Sequence, residues 1–207
     1  MFLRDSGFVQ PYIRAGLRKN AQPLNFTLAS NMNILEADYG IGPLIDVEEA
    51  IKVGIAKLFE RNKLEPWFDG LWMNEYGEVL FGSLLVACQA YCLGCVSDIN
   101  SIRKDFGLGS LSKTDAYRDC RLSKKGYSAV ELINAGANCF KHRDEWGDVW
   151  PVNLTTNTLG AFSITQGTEF PLNEIQEIIE SEFGYNKISN LVSDWREELI
   201  HKAKIMP

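Results

Sequence analysis

The chain has 207 residues, of which 45% are hydrophobic and 23% are charged, as is typical of a globular protein and unlike a disordered one. Its formal net charge of -6 and pI near 5.1 exclude the overall basic surface needed to bind duplex nucleic acid. Its five cysteines form no disulfide framework and its N-terminus has no signal-peptide pattern, so we expect one cytoplasmic domain over residues 1–207.

The first 43 residues lack helical periodicity but are rich in aromatic side chains. Any regular pattern is interrupted by Pro11, Pro23 and Pro43. The aromatic side chains, which include Phe8 and Phe26, are expected to be buried against other residues. This combination predicts a packed N-terminal arm, partly extended. A small sheet formed by this arm with residues 149–168 is the main alternative to a purely helical fold.

The first predicted helix runs from Asp46 to about Asn62. Asp46 and Glu49 have the spacing of a capping-box-like pair, and the apolar residues that follow recur at helical spacing. Pro66 ends the pattern.

The second predicted helix is the longest, from about Asn74 to Lys104. It is apolar nearly all round between residues 79 and 96, which predicts a central helix covered by neighbours on several sides. Polar and small residues such as Ser83 and Gln89 interrupt this stretch, so we expect a core helix and no membrane insertion.

Three cysteines of this helix, Cys88, Cys92 and Cys95, have the spacing of the iron–sulfur motif of radical SAM enzymes. The same spacing of four and three residues also defines one face of a helix. Because the flanks are helical and no βα repeats are present, the pattern predicts buried thiols packed in the core.

A third helix is predicted over residues 128–146, after a long connection at 106–127. Ser128 and Glu131 have the S-x-x-E spacing of a capping box, and an inward stripe of apolar residues follows. The stripe consists of Val130, Ile133, Ala137 and Phe140.

Two further helices are predicted at 173–183, capped by Asn173 and ended by Gly184, and at about 187–204. Residues 148–170 support only short elements. The predicted fold is therefore mainly α, a single-domain helical bundle around a long central helix.

The polar side of the third helix holds the densest cluster of ionisable groups in the chain, including Asn138, Lys141, His142 and Glu145. Asn138 and His142 are one turn apart, so the amide can hydrogen-bond the imidazole and fix its tautomer. This arrangement indicates either an oriented general base or a partly buried histidine satisfied by its neighbours. Because no second histidine lies nearby in the sequence, we predict no metal site and no cofactor.

The run Ala137 to His142, ANCFKH, resembles the R-N-x-x-x-H signature of HEPN ribonuclease domains. Those domains are compact all-α bundles, common in bacterial toxin–antitoxin and phage-defence systems, and they usually dimerise so that two such helices face each other across an RNA cleft. Asn138 and His142 match the signature, whereas Ala137 stands at the arginine position. The resemblance thus implies a HEPN-like protein that is catalytically degenerate.

Two functions remain open. The resemblance implies a bacterial or phage defence or toxin-type protein that acts on RNA or through a protein partner, such as an antitoxin or a second copy. As a metal-independent ribonuclease it would use His142 as general base or acid, Asn138 as its orienter and Lys141 or Arg143 as the phosphate-facing cation. The alternative is a non-catalytic interaction module of the helical-bundle class.

Overall fold

The computed structural model describes residues 38–118 and 125–203, which fold into helices without a strand. The predicted mainly α bundle is therefore confirmed for these residues, while the predicted N-terminal arm lies almost entirely outside them. In chain order the helices are α1 (Ile41–Leu64), α2 (Gly70–Asp105), α3 (Lys113–Arg118), α4 (Ala129–His142), α5 (Leu154–Ala161), α6 (Pro171–Ile178) and α7 (Ile188–Lys202).

Helix α1 begins at Ile41, ahead of the predicted start at Asp46. The Asp38 carboxylate accepts hydrogen bonds from the backbone N–H groups of Gly40 and Ile41, both at 3.1 Å. Pro43 lies in the first turn, where its missing N–H group costs nothing. The prediction that Asp46 caps this helix was therefore wrong.

Helix α2 is the long central helix that the sequence predicts, and it packs against α1, α4, α6 and α7. It starts at Gly70 because the Asp69 side chain accepts from the N–H groups of Leu71 at 3.0 Å and Trp72 at 3.3 Å. By length and composition alone α2 also qualifies as a membrane span, a test that the core helix of a soluble protein passes equally well.

The three cysteines of α2 are buried in the core, as predicted, and Cys139 of α4 joins them. Burial raises the pKa of the Cys95 and Cys139 thiols to about 11. No group of three or more potential metal-ligating side chains occurs within 38–118 and 125–203.

Two glycines allow α2 and α4 to approach closely. A Cβ atom at Gly82 would lie 2.6 Å from Cγ of Phe140, and one at Gly136 would lie 2.7 Å from Cδ1 of Leu85. Both distances are well below normal van der Waals contact, so each glycine admits a side chain from the facing helix.

Two buried glutamates cap helices other than their own. Glu78 of α2 accepts from the N–H groups of Leu172 at 2.8 Å and Asn173 at 2.7 Å, at the start of α6. In the same way, Glu48 of α1 accepts from the first N–H groups of α7. Helix α6 thus begins at Pro171, and the prediction that Asn173 caps it was wrong.

Burial raises the pKa of Glu78 above its ordinary value, although the two N–H donors and Arg143 oppose this shift. Beyond α6, a short π-helical segment, Ile179–Phe183, ends at Gly184 with a φ of 76°. Gly184 therefore ends this region as predicted.

Short helices occur in two regions for which the sequence predicted no helix. Helix α3 lies inside the 106–127 connection, and α5 occupies residues that were candidates for a strand. A reciprocal capping box between Asn153 and Thr156 starts α5. The alternative sheet is thus wrong for residues 149–168, because this local cap favours a helix there.

Candidate functional site

The predicted helix over residues 128–146 ends at His142 and continues as a 3-10 turn, Arg143–Glu145. Its predicted capping box is confirmed, because Ser128 Oγ accepts from the Glu131 N–H at 3.0 Å and Glu131 Oε2 accepts from the Ser128 N–H at 2.9 Å. The inward stripe is also confirmed at its first three positions, and Phe140 is partly buried.

Ala137 is completely buried. The position that holds arginine in the HEPN signature therefore faces the core in this chain. An arginine there would have no route to a ligand in solvent.

Asn138 binds neighbours other than His142. Its Oδ1 accepts from Gln89 Nε2 at 2.9 Å, and its Nδ2 donates to Thr155 Oγ1 at 3.2 Å. The predicted hydrogen bond from Asn138 to His142 is replaced by these two, because the amide points toward α2 and α5.

Lys141 belongs to the same polar network. Its Nζ donates to Gln89 Oε1 at 2.7 Å, so Gln89 joins Lys141 and Asn138. Gln89 also donates to Asn134 Oδ1 at 2.9 Å. Two of the five predicted site residues thus meet through a residue of α2.

His142 and Glu145 form a separate pair at the surface. His142 Nδ1 lies 3.1 Å from Glu145 Oε2, and the two side chains are 47% and 71% exposed. The histidine is therefore half-exposed, with a carboxylate as its partner.

Arg143, the fifth predicted residue, is directed to the buried Glu78. Its Nη1 lies 3.5 Å from Glu78 Oε2, and its Nε lies 3.8 Å from Asp144. Because Glu78 also caps α6, Arg143 takes part in the link between α2, α4 and α6.

Sequence reasoning missed Gln89 and Thr155, the residues that organise the network. Gln89 is the only side-chain amide in the apolar stretch from residue 79 to 96, and this is the signal that could have found it. A lone amide in a buried helix needs partners from another element.

A second feature lies on the outer side of α2, where a stripe of uncharged residues is solvent-exposed along much of its length. Between Glu75 and Asp98 the only charged residue of α2 is Glu78, which is buried. Successive members alternate in spacing between four and three residues. The α2 stripe comprises Trp72, Tyr76, Val79, Ser83, Val86, Ala90, Leu93 and Ser97.

Aromatic residues extend the α2 stripe at the N-terminal end of the helix. Trp67 packs edge to face on Trp72, with ring centroids 6.3 Å apart, and both are well exposed. Arg61 of α1 lies 4.8 Å from the centre of the Trp67 ring. Neighbouring helices cover α2 on several sides, as predicted, and the α2 stripe is the side that they leave exposed among the described residues.

No family model, no curated protein and no solved structure matches this chain.

Proposed function

We propose that this protein is a helical interaction module, and that its partner is a second copy of the chain docked on the α2 stripe. The observation that carries the proposal is the exposure of this long uncharged stripe. An exposed patch of a few hundred Å² that is mostly apolar is often a functional surface in soluble proteins.

The α2 stripe is complementary to itself. If two copies of α2 pack antiparallel about a twofold axis between Ser83 and Val86, residues equally far from the axis face each other. In each pair a larger side chain meets a smaller one, as close packing requires. The pairs are Trp72 with Ser97, Tyr76 with Leu93, Val79 with Ala90, and Ser83 with Val86.

The size of the stripe sets the strength of the association. The stripe is about 38 Å long at 1.5 Å per residue and about 10 Å wide, or on the order of 400 Å² per copy. A stable interface buries about 800 Å² per partner, so the exposed Trp67 and Leu71 must contribute at each end. We therefore expect a reversible dimer whose population rises with protein concentration.

Sedimentation velocity over a range of concentrations tests this proposal. The full chain should pass from monomer to dimer, and Val79→Glu should stay monomeric because it places a carboxylate inside the interface. Val152→Glu is the matched control: Val152 is 93% exposed and precedes α5, whereas Val79 is 57% exposed on α2. Circular dichroism establishes that both variants fold.

A wild-type chain that is monomeric at every concentration would refute the dimer, as would a Val79→Glu variant that dimerises like wild type. Binding of the wild-type chain to lipid vesicles without self-association would assign the α2 stripe to a membrane instead. Binding only to a different protein, such as an antitoxin, would also refute the second-copy proposal.

A metal-independent ribonuclease of the HEPN type is the second candidate. The observation that favours it is the His142–Glu145 pair, with 3.1 Å between Nδ1 and Oε2, because the tautomer of half-exposed His142 that donates from Nδ1 leaves Nε2 as a base. Lys141 precedes the histidine as a cation for phosphate. Against it stand the buried Ala137 and the engagement of Arg143 by Glu78.

The His142→Ala variant tests the ribonuclease. Exposed ion pairs contribute about 0–1 kcal/mol, so the free energy of unfolding should change by less than about 1 kcal/mol. Loss of RNA cleavage at unchanged stability would support catalysis. A wild-type chain that leaves single-stranded RNA intact, or equal cleavage by wild type and variant, would reject it.

A further inference from the structure

A cavity of about 290 Å³ with several polar side chains in its lining opens between α3, α4 and the start of α5. Its lining includes Lys113 of α3, Asn134 and Asn138 of α4, and Thr155 and Thr158 of α5. The interaction module proposed above does not use this cavity, because the α2 stripe lies elsewhere.

The hydrogen-bond network fixes which way the amides of the cavity point. Lys141 can only donate, so the atom of Gln89 that it binds is the oxygen. The nitrogen of Gln89 then donates to Asn134 Oδ1 and Asn138 Oδ1. Both asparagines consequently turn their oxygens toward Gln89, which does not line the cavity. Their NH₂ groups therefore point away from Gln89.

The cavity is therefore rich in hydrogen-bond donors. Asn138 Nδ2 uses one of its hydrogens on Thr155, and Asn134 Nδ2 has no protein acceptor among residues 38–118 and 125–203. Leu154 and Thr155 of the first turn of α5 line the cavity. The Asn153 cap accepts only from the Thr156 N–H, so the N–H groups of Leu154 and Thr155 have no acceptor within the helix. A ligand that fits this lining must supply acceptors.

Charge favours an anion in the same place. Lys113 lines the cavity and forms no salt bridge within residues 38–118 and 125–203, while its Nζ lies 5.2 Å from the centre of the Tyr117 ring. Partial burial, followed by the nearby Lys141, lowers its pKa. The carboxylate in the lining is that of Glu131, and Arg118 neutralises it at 3.1 Å. The first turn of α5 adds the positive end of a helix dipole.

We propose that this cavity binds the phosphate group of a small phosphorylated molecule. Lys113 supplies the charge, and the NH₂ groups of Asn134 and Asn138 supply directed hydrogen bonds. Phosphate suits the lining because it carries several acceptor oxygens and no donor that must be matched in its dianionic form. The cavity leaves room beyond the phosphate for the group that carries it.

Isothermal titration calorimetry of the full chain tests the proposal with inorganic phosphate, adenosine monophosphate and acetate as probes. Asn134→Asp replaces the NH₂ donor by an oxygen of the same size and keeps the acceptor for Gln89. Lys113→Met removes the charge from an exposed position. Lys63→Met is the matched control, since Lys63 is exposed on α1 and binds Glu60 instead.

We expect saturable binding of phosphate and adenosine monophosphate to wild type and to Lys63→Met. Both cavity variants should weaken binding by about tenfold or more, because a charged hydrogen bond is worth about 1.5–3 kcal/mol. Phosphate stabilises proteins generally by exclusion from their surface, so a shift in melting temperature alone would not count as binding.

Absence of saturable phosphate binding, or equal affinity in wild type and Lys113→Met, would overturn the proposal even if Asn134→Asp fails to fold. Acetate that binds as tightly as phosphate would assign the cavity to a carboxylate and also overturn it. Binding of adenosine monophosphate but not of inorganic phosphate would show that the base, and not the phosphate, is recognised.

Discussion

The buried carboxyl group of Glu78 makes several contacts. Its Oε1 accepts from two N–H groups of α6, and its Oε2 faces Arg143. Its pKa is nevertheless raised, because the loss of hydration outweighs these partners. The carboxyl group is thus needed as an acceptor, while its negative charge is a net cost to the fold.

Glu78→Gln separates these two roles. Glutamine keeps the acceptor for α6 but does not titrate. The raised pKa means that the folded protein holds this proton to higher pH than the unfolded chain does. The contribution of Glu78 to the free energy of unfolding therefore falls as pH rises above 4.5, the ordinary pKa of a glutamate. The stability of Glu78→Gln relative to wild type should therefore increase with pH, as measured by urea unfolding from about pH 4 to about pH 7.

Glu78→Ala is the control for the capping role. It leaves one buried and one partly buried N–H group of α6 without an acceptor, so it should lower the free energy of unfolding by about 1–3 kcal/mol at every pH. A Glu78→Gln variant that loses stability relative to wild type as pH rises would show that the Arg143 ion pair outweighs desolvation.

The sequence predicts the role of a capping residue only when that residue adjoins the helix that it caps. The Ser128–Glu131 box was predictable because both groups belong to one turn. The cap of α6 was not, since Glu78 is 94 residues from Leu172. The helical spacing correctly placed Glu145 beside His142. The orientation of the Asn138 amide could not be predicted in this way, because it depends on Gln89, 49 residues away.

At the scale of elements, the contact between α2 and α4 depends on glycine. Gly82→Ala should lower the free energy of unfolding by about 1–3 kcal/mol, because its methyl group would overlap the Phe140 ring. Gly94→Ala is a matched control on the same helix, where an added methyl group meets open space. It should gain up to about 1 kcal/mol from helix propensity.

Chemical denaturation of the two variants beside wild type measures both effects. Equal stability of Gly82→Ala and Gly94→Ala would mean that α2 and α4 can separate at Phe140 without cost, and that their close approach is not a constraint on the bundle.

Periodicity predicted the long helices and failed for the short ones. Helices α2, α4 and α7 each bury a stripe that repeats over several turns, so the pattern is visible in the sequence. Helix α1 has the same periodicity but fully buries only Leu44, Glu48 and Leu58. Helices α3 and α5 have six and eight residues, too few for a stripe to repeat. The exposed side of α2 was missed because its apolar residues resemble those of the core.

At the scale of the whole molecule, the buried thiols report on global unfolding. Reactivity requires both access and thiolate, and Cys95 and Cys139 are buried with pKa values of about 11. In a Cys120→Ser background, a thiol reagent at about pH 8 should label none of the four remaining cysteines of the folded chain and all of them in denaturant. Counting labelled thiols by mass spectrometry measures this.

Leu132→Ala provides the comparison. Leu132 is fully buried, and its truncation should cost about 2–5 kcal/mol, so labelling should accelerate in proportion to the larger unfolded population. Rapid labelling of wild type at a rate that Leu132→Ala does not change would indicate local opening around α2 instead.

The candidate sites also belong to this scale, and little of their geometry could be predicted. The cavity joins side chains of α3, α4 and α5, and two of these helices were not predicted at all. Of the five residues predicted as a site, Asn138 is the one that lines the cavity. The sequence placed polar groups on α4 correctly, but only the packing of helices decides which of them meet.

The two glutamates that cap distant helices also bear on how the chain is made. Glu48 is 140 residues from Ile188, and Glu78 is 94 residues from Leu172. A ribosome releases the first two helices long before the backbone groups that satisfy these carboxylates exist outside the exit tunnel. Stable burial of Glu48 and Glu78 must therefore wait until α6 and α7 have left the exit tunnel, so the docking of these two helices completes the packing of α1 and α2.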